Sequence, residues 1–157
     1  MSAEQFADAG SALFGSIFPD SMVRYRPATK VLNDQNIQLF PRASLVVNNP
    51  FLTALGRPNR ETVSTSRESQ ANLLQALELT NGERFNSMLK KGAENWKLKY
   101  KSGDLIIREI YKQALGREVR SDEYKVAIKI LGDKPQTDSI QDLFWAMMLL
   151  PEFQIIY

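Results

Sequence analysis

The residues best placed to do chemistry in this sequence are arginines. Arg57, Arg60 and Arg67 lie in one short stretch, Arg57-Pro58-Asn59-Arg60-Glu61 followed by Thr65-Ser66-Arg67-Glu68. A guanidinium is a planar fork of donors that meets a carboxylate or phosphate at two points. Pro58 fixes the backbone between the first two arginines, and Thr65 with Glu68 is a capping-box start of a helix, whose free N–H groups also favour anions. Arg57, Arg60 and Arg67 are therefore the candidate ligand-binding residues. The plainer reading, and the preferred one, is an internal salt-bridge network with Glu61, Glu68 or Glu78.

Ala-Leu-Gly-Arg occurs at both 54–57 and 114–117. In each copy the glycine is expected to take the left-handed position that ends a helix, and the arginine to face the negative end of the helix dipole. The flanking residues do not match, so no internal repeat is read.

Two further groups invite a functional reading. Lys90, Lys91, Lys97, Lys99 and Lys101 alternate with Trp96 and Tyr100, a mixture that can bind single-stranded nucleic acid. At helical spacing, however, these lysines scatter around the circumference while the aromatics share one face. A solvated surface over a core stripe is the preferred reading, and no nucleic-acid partner is expected. Asp138, Asp142 and Glu152 could be grouped as carboxylates, but Asp138 and Asp142 fit more simply as early-turn residues of a helix.

Composition removes much else. The chain of 157 residues has no cysteine and no histidine. Thiol nucleophiles, disulfides, Cys/His zinc sites and imidazole acid–base catalysis are all excluded. Only carboxylates, hydroxyls, lysine and tyrosine remain, and no phosphate loop or nucleophile elbow is present. No catalytic residue, metal site or cofactor is assigned. The 20 cationic and 18 anionic side chains nearly cancel, so no general pull toward polyanions or anionic lipid is expected. No apolar run approaches the roughly 18 residues of a membrane span, and no membrane insertion is expected. Nor does the N-terminus show a basic segment followed by an apolar run.

The elements that must position these residues are helical. Ser2 and Gln5 form a capping box ahead of Phe6, Ala9, Leu13 and Phe14, and Gly15 is a stop. Residues 16–49 are interrupted by Pro19, Pro27 and Pro41, with Asn36–Phe40 and Ser44–Val47 as extended or short-strand segments. Asn49-Pro50 starts a short helix. Apolar stripes then run to Thr80, from Phe85 to Tyr100 with a bend near Gly92, from Leu105 to Leu115, from Tyr124 to Leu131, and from Ile140 to Leu150. The spacing predicts an all-α fold: an irregular bundle of about six helices, with a long Pro-interrupted extended segment between the first two. It is read as one helical domain over 1–157, the C-terminal fragment of a larger multidomain protein. Residues 16–49 would pack on it or on a missing neighbour. Phe18, Val23, Tyr25, Ile37, Leu39, Ile155, Ile156 and Tyr157 are the candidates for apolar surface left uncovered.

Several blocks also carry a family resemblance. They are Arg42–Glu61 with its Gly56-Arg57-Pro58-Asn59-Arg60, Leu74–Gly82 with its Gln75-Ala76-Leu77-Glu78-Leu79, Ile110–Arg117, Asp142–Phe153, and the opening Ser2-Ala3-Glu4-Gln5-Phe6. In this order they resemble the C-terminal part of the planctomycete-type family named domain of unknown function fifteen-fifty-three. The resemblance implies large bacterial parents that are exported to the periplasm or cell envelope. In these the module follows a companion domain, often with a cytochrome-c-like domain near the N-terminus. It carries over no catalytic residue. Many such relatives place a Cys-x-Cys pair where this chain has Ser64 and Ser66, so a metal or redox role does not transfer. Tyr111–Arg117 and Leu149–Phe153 are also similar to short helical repeats of extracellular bacterial proteins.

Two functions follow as expectations. The favoured one is a non-catalytic helical docking module whose partners are companion domains of its own parent chain. The alternative is part of a composite, glycan-directed active site, for which Asp, Glu, Tyr and Lys would suffice.

Overall fold

The computed structural model describes residues 1–18, 22, 42–58 and 73–155. They are all-α, with no strand among them. They fall into two compact units, one of Ser2–Phe85 and one of Asn86–Tyr157 with Met1.

The first unit begins with α1, Ala3–Phe14, started by the expected capping box: Gln5 N donates to Ser2 Oγ at 3.3 Å and Ser2 N to Gln5 Oε1 at 2.8 Å. Gly15 ends it at φ 104, open to glycine without strain. A 3-10 turn over Ala43–Leu45 stands where Ser44–Val47 suggested an extended run. The cause is Asp8 on α1, whose carboxylate accepts from Ala43 N and Arg42 Nε, both at 2.7 Å, and so fixes the turn's first residues. Asn49 caps α2, Pro50–Ala54, by accepting from Phe51 N at 3.0 Å. After α3, Leu73–Asn81, the unit closes around Phe85. The ring of Phe85 lies 6.0 Å from that of Phe6 and 6.2 Å from that of Phe51, with Phe14, Phe18 and Leu52 also buried. Phe18 thus belongs to the core and is not uncovered surface. Pro19, Pro27, Pro41 and Asn36–Phe40 lie outside the described residues, as do Val23, Tyr25, Ile156 and Tyr157.

The helix α4, Glu83–Lys99, is unbroken, and its residues from Asn86 onward belong to the second unit. It runs through Gly92 without interruption, and Gly92 is buried there with Ala93 and Leu89. Ser102 caps α5, Gly103–Leu115, through Leu105 N, and Gly116 ends it in the left-handed region at φ 67. Then come α6, Ser121–Leu131, and α7, Thr137–Leu149. Pro151, expected only as a stop, opens one more turn, α8, Pro151–Gln154, because proline's fixed φ and missing N–H suit a first helical position. Ile106, Ile107, Ile110, Ile140, Phe144 and Met148 form the fully buried centre, with Trp96 edge-on to Phe144 at 5.1 Å. Six longer helices and the two short ones α2 and α8 make up the described chain. None of its helices is long and apolar enough to cross a membrane.

Candidate functional site

In the first Ala-Leu-Gly-Arg turn the glycine follows the end of α2 with a positive φ, as its sequence suggests. Gly56, at φ 89, donates to the Thr53 carbonyl, and Arg57 N donates to the Leu52 carbonyl, both at 2.9 Å. The Arg57 side chain, only 6% exposed, turns inward. Its Nη1 donates to the Ala43 carbonyl at 3.3 Å and its Nε stands 3.5 Å from the Glu4 carboxylate. One guanidinium thereby links α1, the 3-10 turn and the end of α2. Arg60 and Arg67 lie outside the described residues, so Arg57 is the member of the candidate set whose surroundings are described.

In the second copy Gly116 takes the left-handed cap, but Arg117 does not sit against helix-end carbonyls. It forks onto two carboxylates. Nη1 and Nη2 meet Glu123 at 2.9 and 2.8 Å, while Nε and Nη2 meet Glu152 at 2.7 and 2.8 Å. Nη1 also donates to the Glu118 carbonyl, and the guanidinium carbon lies 5.4 Å from the centre of the Tyr111 ring. Glu123 additionally accepts from Arg120 N at 2.9 Å at the start of α6.

The electrostatics follow from this packing. Hydrogen bonds from Arg117 hold the Glu123 carboxyl down to about 2 and push Glu152 below its ordinary range. Those same bonds, to Glu152 first and Glu123 second, raise the guanidinium above its ordinary value. Burial, then the charge of Glu123, raises the Tyr111 phenol. A carboxylate held ionised accepts hydrogen bonds and has no proton to donate. The Glu123–Glu152 pair is therefore built as an anchor for Arg117, not as a proton donor near neutral pH. Asp138 and Asp142 are both exposed on α7, and among the described residues no three acidic side chains gather to hold a metal ion.

The lysine-rich stretch divides as its periodicity suggests. Trp96 is buried, with Tyr100 against it at 5.0 Å, and the lysines lie outside this stripe. Two of them nevertheless share a concave place. Lys97 and Lys101 join Leu98, Tyr100, Lys134 and Gln136 around an open cleft of about 520 Å³, with Glu94 at its side. Lys97 Nζ donates to Gln136 Oε1 at 3.1 Å.

A family model described as PSD1, protein of unknown function (DUF1553), matches residues 1–131. The chain belongs to this family. No curated protein and no solved structure matches it.

The DUF1553 match covers both Ala-Leu-Gly-Arg turns, Arg117 and Glu123. It ends before Lys134, Gln136, Glu152 and the Asp142–Phe153 block. In the DUF1553 sequence nothing local marks Lys134 and Gln136 as walls of the cleft or pairs Glu152 with Arg117. Lys134 is thirty-three residues beyond Lys101, and no local spacing joins them. For Glu152 a signal did exist: Pro151-Glu152 is a first-turn pair, a place that favours a carboxylate.

Proposed function

We propose that this chain is a non-catalytic docking module, and that its partner is a companion domain of its own exported parent chain. The observation that carries the reading is α3. Only Leu79 of this helix is buried, while Leu73, Leu74 and Leu77 are 77%, 53% and 48% exposed. Residues three and four apart stand side by side on a helix, so these leucines make one apolar stripe. Covering a leucine contributes roughly 1.5–3 kcal/mol relative to leaving it in water. A leucine stripe of this kind, in a family whose resemblance implies a preceding companion domain, fits a surface made to be covered by that domain.

The test uses the preceding domain of the parent, produced separately and titrated calorimetrically with this chain. Binding is expected, and the variant carrying Leu73→Asn, Leu74→Asn and Leu77→Asn should bind at least tenfold more weakly with an unchanged helical circular dichroism spectrum. Absence of binding, or equal binding by the variant, overturns the reading. So would sedimentation showing that the stripe instead pairs two copies of the chain.

A further inference from the structure

The cleft beside the end of α4 is independent of the α3 stripe and belongs to the second unit alone. Three lysines reach it from two places in the chain: Lys97 and Lys101 from α4 and its exit, Lys134 from the connection between α6 and α7. Among the described residues none of the three is within ion-pairing distance of a carboxylate, and Lys97 donates to the Gln136 side-chain amide oxygen. Glu94 is the single acidic residue of the lining, so the cleft keeps a cationic excess of three against one.

Such an arrangement is unfavourable in itself. Like charges repel, and a concave wall of low dielectric concentrates their field and raises the local concentration of anions. The chain as a whole has a formal charge of only +2, so this is a local concentration and not a share of a general surplus. The walls are apolar as well: Leu98 is 72% exposed and Tyr100 and Pro135 line the same space. The Tyr100 ring is occupied, by Trp96 at 5.0 Å and by the Lys99 ammonium at 4.9 Å, so it serves as wall and not as a stacking platform for a base. Thr137 at the start of α7 also faces the cleft, and no side chain caps that helix. Its first N–H groups add partial positive charge to that of the lysines, offset in part by Asp138 in the same turn.

We propose that this cleft is a binding site for a small organic polyanion, with Lys97, Lys101 and Lys134 as the groups that hold its acidic substituents. A volume near 520 Å³ is within the usual range for small-ligand sites and far larger than one inorganic anion needs. The ligand therefore has a body that rests on Leu98 beside Tyr100 and bears two or more acidic groups. Carboxylate, sulfate and phosphate esters share this chemistry, and the experiment separates them.

The test is calorimetric titration at low ionic strength with trigalacturonate, sucrose octasulfate and inositol hexakisphosphate as probes. At least one is expected to bind with one-to-one stoichiometry, and the one that binds identifies the acidic group. The variant carrying Lys97→Ala, Lys101→Ala and Lys134→Ala should weaken that binding tenfold or more. A control with the same loss of charge elsewhere, Lys90→Ala, Lys91→Ala and Lys129→Ala, should weaken it less than twofold. Should the triple cleft variant fail to fold, Lys134→Glu carries the test, since its side chain is exposed; a loss of at least fivefold is expected. Binding of no probe by the unmodified chain, or equal weakening by the control, overturns the proposal.

Discussion

Arg117 grips Glu152 across thirty-five positions of sequence, with Nε and Nη2 each within 2.8 Å of a carboxylate oxygen. The grip joins the exit of α5 to the first turn of α8, and Glu123 closes it from α6. Replacing Arg117 by alanine removes both forks and leaves two carboxylates facing each other. Arg117 and Glu123 are about one-fifth exposed and Glu152 about one-third, so solvent screens part of the loss, which is expected at about 1–2 kcal/mol in a denaturant melt. Lysine keeps the charge but cannot make either two-point contact, and Arg117→Lys should fall between the two. Equal stability of all three proteins would contradict this account.

The same node sets an acid limit. Folded, Glu123 stays ionised down to about 2, whereas its ordinary value is 4.5. A group whose folded value is depressed stabilises the fold above its unfolded value and loses that contribution as pH falls toward the folded one. Stability should therefore decline between about 4.5 and about 2, with Glu152 acting in the same direction. Melting temperatures of the parent and Glu123→Gln, measured from neutral pH downward, should differ most near neutrality and converge near the acid end. A gap that widens on acidification would reverse the assigned sign.

Two glycines separate close approach from backbone conformation. A Cβ on Gly103 would run into the carbonyl oxygen of Gly132, and Gly103 N already donates to the Asp133 carbonyl at 3.2 Å. The start of α5 rests directly on the backbone that ends α6, and Gly103→Ala should cost about 2–3 kcal/mol. Gly116 has open space around its Cβ position but a φ of 67, so Gly116→Ala should cost only about 1 kcal/mol. Thermal melts that rank the two in the opposite order would show that conformational strain outweighs the clash.

What the sequence made legible is what is settled within one helical turn. Ser2 with Gln5, Asn49 with Pro50, and the terminating Gly15 and Gly116 all act over four residues or fewer, where spacing and geometry are the same information. The family was also legible, because its blocks are contiguous. What spans the chain was not. Asp8 determines the turn at Ala43 from thirty-five residues away, and Glu152 claims Arg117 over the same separation. Phe18, expected as uncovered apolar surface of the Pro-interrupted segment, is buried in the first unit, a property of three-dimensional packing that no local pattern records.

Arg57 offers the sharpest test of the arginine turn. Its guanidinium is nearly buried, reaching the Glu4 carboxylate of α1 on one side and the Ala43 carbonyl on the other. Arg57→Ala would leave a cavity, take a cation from Glu4, and remove a donor from Ala43. Removing one partner of a buried charged pair costs more than the pair contributes, because the survivor keeps its desolvation penalty. A loss of about 2–4 kcal/mol is expected in a chemical melt, between the cost of stranding a buried hydrogen-bond partner and that of breaking a fully buried ion pair. Combining it with Glu4→Gln should cost less than the sum of the single changes, since each already forfeits the same contact. A ligand clamp behaves differently: its guanidinium is held for a partner not yet bound, and its removal leaves the melt of the unliganded chain nearly unchanged. Superimposable melts of Arg57→Ala and the parent would therefore refute the structural role and make this turn the place to search for a bound anion.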